Sequence, residues 1–132
     1  MKLKRLTRIV AVLQIVLGLA YLFIPVQFLA VMGHSIPPGD LLYPLGMLAS
    51  RFLVVGIVFW YIAPHMNAHR LWVDAMIAIQ IIDLAVGVSM TLTDAVPLSL
   101  SGFPMFNALI IAVLLFVWRP AKLHSTLTSA AL

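Results

Sequence analysis

The chain has no cysteine, which excludes disulfides, thiolate-bound metals and dithiol redox chemistry. Glutamate is also absent, so the carboxylates are four aspartates, at 40, 74, 83 and 94. Charged residues make up only 9% of the sequence, where a soluble domain carries about a quarter. With 64% hydrophobic residues and a mean hydropathy of +1.14, the chain cannot keep a soluble surface wet. No glycine-rich phosphate loop and no nucleophile–base pair occurs, and Ser50 has no histidine beside it. The sequence therefore offers no catalytic residue. The net charge of +4 could suggest a nucleic-acid partner, but the cations form no patch beside stacking aromatics.

What the chain does have is four long apolar stretches, at about 6–24, 44–63, 73–93 and 104–118. Roughly 20 apolar residues cross a hydrocarbon core about 30 Å thick. The first three stretches qualify, and the fourth is short unless Leu100 to Phe103 also enter the membrane. The expected fold is an all-α integral membrane protein: a four-transmembrane-helix bundle in one domain, with residues 119–132 as a hydrophilic tail. The basic start and apolar run also fit a signal peptide, but the run is about twice a usual h-region and lacks a small-x-small cleavage site.

After Pro25, the segment Val26 to Gly33 reads either as a short helix lying in the outer interface or as a kinked continuation of the first span. His34 to Pro44 reads as an outer loop, and Ser99 to Pro104 as a second set of turn signals before the fourth span.

Orientation follows from the cations. Lys2, Lys4, Arg5 and Arg8 precede the first span, Arg70 lies between the second and third, and Arg119 and Lys122 follow the fourth. The other two connections hold Asp40 and Asp94 and no Lys or Arg. Positive charge collects on the cytoplasmic side, so both termini are expected there, in a bacterial-type inner membrane.

Polar residues inside the spans carry the functional information. Thr7, Ala11, Gln14, Gly18, Tyr21 and Pro25 share one face of the first helix. Met76, Gln80, Asp83, Gly87, Thr91 and Asp94 share one face of the third. Both faces are expected to look inward, because an unpaired polar group facing hydrocarbon is costly. Gly46, Ala49 and Gly56 form a small-residue face on the second helix, opposite Arg51. Arg51 costs about 2.5 to 3.5 kcal/mol against about −3 to −6 from ten Leu, Ile, Val and Phe residues in its span. Asp83 imposes a similar penalty on the third span, so partners inside the bundle are expected.

By residue count, Arg51 lies roughly 10 Å and Asp83 roughly 15 Å below the outer helix ends. The two can meet as an ion pair, with Gln80 and Gln14 about a turn deeper and Asn107 nearer the outer surface. Such a pair could hold the helices in register or line a small-molecule or lipid site. A proton path usually needs further carboxylates. His65 and His69 are four apart but lack further ligands nearby, so no metal is expected.

The order Gly18-Leu19-Ala20-Tyr21-Leu22-Phe23-Ile24-Pro25, then Phe28-Leu29 and Gly33, then Ala49-Ser50-Arg51 and Gly56, resembles the DoxX-like group of small four-helix bacterial inner-membrane proteins. The resemblance implies a link to quinone-coupled oxidation or redox-stress complexes, and matches Arg51 to an arginine common in the second helix. Two functions follow as expectations. One is a non-catalytic accessory subunit, partnered by the lipid bilayer and by other membrane subunits or a second copy, with no cofactor. The alternative is a binding protein or enzyme for a lipid-soluble molecule such as a quinone or lipid, with Arg51, Asp83, Gln80, Gln14 and Asn107 around it. A small multidrug transporter fits less well, since Gln14 stands where that class has a carboxylate in its first helix.

Overall fold

The structure is a computed structural model that describes residues 2–120. The tail beyond Pro120, with Lys122 and His124, lies outside the described residues. Within them five α-helices follow in order: α1 (Lys2–Phe23), α2 (Pro25–Val31), α3 (Leu42–Ile62), α4 (Arg70–Leu92) and α5 (Leu98–Trp118). Short 3-10 turns at Gly39–Leu41 and Ala63–Ala68 flank α3. The helices α1, α3, α4 and α5 are each long and apolar enough to cross a membrane, making this an all-α, multi-pass membrane bundle.

Local chemistry sets the helix ends. Ile24 leaves helical geometry (φ −137°, ψ 46°), and Pro25, which has no N–H to leave unpaired, begins α2. Thus α2 is a separate helix and not a continuation of α1. It ends on Gly33 at φ 86°, where Gly33 N–H donates to the Ala30 carbonyl (3.0 Å) and His34 N–H to that of Leu29 (2.9 Å). That double closure is a Schellman end, and its left-handed residue favours glycine.

The fourth membrane helix departs from the expected boundary. Ser99 to Phe103 are helical, not a turn, and α5 begins at Leu98 with Pro104 inside it. Pro97 supplies the start, because its carbonyl accepts from Leu100 N–H (2.9 Å) and Ser101 N–H (3.2 Å). Pro104 removes only one backbone donor, and α5 reaches 21 residues, or about 31 Å.

The helices form two antiparallel pairs, α1 along α3 and α4 along α5, joined mainly where α1 meets α5 and the 3-10 turn after α3. Small residues let α1 and α3 approach closely. A β-carbon on Gly56 would lie 2.9 Å from the Ala11 carbonyl oxygen, and one on Gly18 would lie 3.0 Å from that of Ala49. Gly46, grouped with Ala49 and Gly56 from spacing alone, faces open space instead.

The core sits in the half of the bundle nearest the basic residues. Leu6, Val10 and Ala11 of α1 meet Phe59 and Ile62 of α3, Val73, Met76 and Ile77 of α4, and Ile111 and Leu115 of α5. At that end Arg70 Nε donates to Asp74 Oδ2 (3.2 Å) and Arg70 Nη1 to the Pro120 carbonyl (2.7 Å), while Arg119 lies 3.7 Å from Asp74 Oδ1. Asp74 thereby ties the start of α4 to the end of α5. Arg8 stacks over Trp60 with 5.4 Å to the ring centre. Towards the other end the pairs separate.

Candidate functional site

That separation leaves a cavity of about 480 Å³ between the α1–α3 pair and the α4–α5 pair. Its floor is polar and its walls are largely apolar. Gln14 and Gln80 lie at the floor, next to Val10 and Ile111 of the core. Tyr21, Phe52 and Phe103 supply aromatic wall, and Met32 and His34, just after α2, close the far end. The loop-forming Schellman end of α2 therefore positions two lining residues. The Tyr21 ring packs edge-on against Phe28 (5.0 Å between centres) and stacks with Phe52 (6.1 Å), which fixes the wall between α1, α2 and α3.

Four of the five residues singled out from sequence line this space: Gln14, Gln80, Asp83 and Asn107. The inward faces of α1 and α4 deliver the first three. Thr7, Ala11 and Gln14 are buried along one stripe, as are Met76 and Gln80 along another. Gln14 is 8% exposed, and its Oε1 has no hydrogen-bond partner among the described residues. Gln80 is 5% exposed, and among the described residues its Nε2 donates only to the thioether of Met76 (3.3 Å), a weak acceptor. Asp83 and Asn107 are exposed to the open part of the space.

Arg51 is the exception. It is exposed, it does not line the cavity, and no carboxylate lies within 4.0 Å of it among the described residues. The expected Arg51–Asp83 pair is not formed within the chain. Depth is not the reason. Phe59 packs edge-on against Trp72 (6.2 Å), and counting eleven residues back along α3 and eleven forward along α4 sets Leu48 level with Asp83. Arg51 is three residues from Leu48, or about 4.5 Å in depth. The difference is azimuthal. Ala49 and Gly56 turn towards α1, Leu48 and Phe52 towards the cavity, and Arg51 lies about 60° beyond Leu48 on the side away from Ala49. Arg51 stands at the lip of the gap between α3 and α4.

Two participants escape sequence reasoning. Ser101 lines the cavity and is paired with Thr91 through their hydroxyls (2.7 Å). Gly102 and Pro104, which follow it, signal a turn and so conceal its place on a helix. His34 stands among loop signals, and nothing in its neighbourhood indicates that the loop folds over the bundle. Comparison with protein-family models, with curated proteins and with solved structures finds no match.

Proposed function

We infer that this protein binds a lipid-soluble amphipathic molecule, of the quinone or lipid type, in the space between its two helix pairs. The observation that carries this reading is the unpartnered Oε1 of Gln14 at the floor of the cavity. A buried polar atom without a partner costs about 1–3 kcal/mol, so a ligand hydroxyl or N–H reaching it gains that much back. Gln80 Nε2, held only by a thioether, is free to donate to a ligand oxygen. The volume falls in the range of small-molecule sites, and the apolar walls suit a ring or acyl chain. The proposal is binding and not chemistry, since the lining offers amides, one carboxylate, hydroxyls and the His34 imidazole, and among the described residues no hydroxyl is hydrogen-bonded to that imidazole.

The same reading puts the basic end, with Lys4, Arg5, Arg8 and Arg70, on the cytoplasmic side of a bacterial-type inner membrane. The DoxX-like resemblance adds quinone as the first ligand to look for, although Gly18, Ala49 and Gly56 in its motif have a sufficient role in α1–α3 packing. Service as an accessory subunit is a second reading, supported by an intramembrane Arg51 with no counter-charge among the described residues.

The test is mass spectrometry of small molecules extracted from protein purified in mild detergent. Wild type should retain a stoichiometric quinone or lipid, and Gln14→Leu with Gln80→Leu should lower its occupancy at least tenfold while the fold survives. Equal occupancy in both proteins sinks the proposal.

A further inference from the structure

The two charges set deep in the spans, Arg51 and Asp83, share nearly one depth and are each exposed in a single copy of the chain. Arg51 cannot escape to water along its own helix. It lies nine residues from Leu42 and eleven from Ile62, so about 14 and 16 Å separate it from the two ends of α3. A guanidinium reaches several ångströms beyond its backbone and falls short of both. Asp83 has no cation within 4.0 Å among the described residues. Each therefore lacks, among those residues, the counter-charge that an intramembrane ion needs.

We propose that a second copy of this chain supplies it: two copies lie side by side in the membrane, with Arg51 of each facing Asp83 of the other. The arrangement is self-complementary, as a twofold interface requires. Arg51 lies on one lip of the α3–α4 gap, and Asp83 opens onto the same gap from the other side. A twofold axis along the membrane normal keeps depth unchanged, so opposite charges meet at one level and the two openings face each other. α3 of one copy then runs antiparallel to α4 of the other. The apolar flanks match this placement: Val54 is exposed beside Arg51, and Ile79, Ile82 and Val86 are exposed beside Asp83. In the dimer Arg51 of the second copy completes the polar lining that one chain leaves without a cation. This pairing rests on the charges and their depth, and it does not depend on the identity of any ligand.

A charge-exchange experiment separates pairing between copies from pairing within one. In a homodimer, Arg51→Asp alone or Asp83→Arg alone opposes like charges twice, so each should lose self-association. Co-expressed with different affinity tags, the two single variants should recover each other. One variant is acidic at both positions and the other basic at both, so a mixed dimer sets opposite charges against each other at both contacts. Pairing within one chain predicts no such recovery, since each variant chain then carries two like charges. As a milder check, Arg51→Gln and Asp83→Asn should each lower the dimer fraction at least tenfold in detergent, measured by light scattering. The absence of cysteine gives a clean background for cross-linking: Val54→Cys with Ile79→Cys should form a disulfide-linked dimer in native membranes. A monomeric wild type without cross-link, failed recovery of the mixed pair, or a dimer fraction unchanged by neutralising either charge overturns the proposal.

Discussion

At the scale of single residues, steric room separates glycines that look equivalent in the sequence. Gly46 and Gly56 stand on the same helix, ten residues apart, and both belong to one small-residue pattern. A β-carbon at Gly56 would meet backbone atoms of α1, the Ala11 oxygen at 2.9 Å and the Ile15 nitrogen at 3.0 Å, neither of which can swing aside. At Gly46 it would meet nothing within 4 Å. Gly56→Ala should therefore destabilise the protein by about 1–3 kcal/mol through overpacking. Gly46→Ala should be neutral or stabilising by up to about 1 kcal/mol, because alanine is the better helix former. Thermal unfolding in one detergent compares the two. Equal effects would mean that α1 and α3 are not packed as described.

Arg51 shows where residue-level reading stops. Its span, depth and cost were legible, because they follow from counting and transfer energies. Its direction was not, because a helix offers every azimuth and only the packing of α1 against Ala49 and Gly56 selects one. Gln14 and Gln80 are buried for the complementary reason: each lies on a face with enough small and polar residues to define an inside.

At the scale of elements, the helix ends carry the local chemistry. Both α2 and α4 close with a Schellman end, on Gly33 at φ 86° and on Asp94 at φ 55°. The Asp94 N–H donates to the Thr91 carbonyl (3.2 Å) and the Ala95 N–H to that of Met90 (3.0 Å). Gly33 advertised its role through residue type, whereas Asp94 is a tolerated substitute whose conformation sequence cannot reveal. A β-branched side chain is poorly suited to left-handed geometry, which costs an L-residue about 1–2 kcal/mol. Asp94→Val should lower stability by roughly that amount, while Asp94→Gly should leave it unchanged or raise it. Chemical denaturation of both variants in detergent measures the difference, and a harmless Asp94→Val would argue against this turn. The start of α5 follows similar logic: Pro104 suggested a boundary, but the Pro97 carbonyl already organises the first turn and the helix continues through the second proline.

At the scale of the whole molecule, charge distribution and helix packing describe one axis. The tight core, the Arg70–Asp74–Arg119 cluster and the Arg8–Trp60 contact lie at the basic end, while the cavity, α2 and the residues Asp40 and Asp94 lie towards the other. The helix pairs pack tightly at the basic end and part towards the other, where Met32 and His34 cover the end of the cavity, so the proposed ligand would enter sideways between the pairs. Four membrane-length helices return the chain to the side where it began, so the two sides can be assigned by two reporters. A reporter inserted at Gly39 should mark the periplasm, and one fused after Leu132 the cytoplasm, because positive charge is retained on the cytoplasmic side. The cavity would then open in the periplasmic half of the membrane. Both reporters on one side would mean that a helix does not cross. A cytoplasmic Gly39 with a periplasmic carboxyl terminus would leave the fold intact and turn the cavity towards the cytoplasm, so ligands would have to be sought in the opposite leaflet.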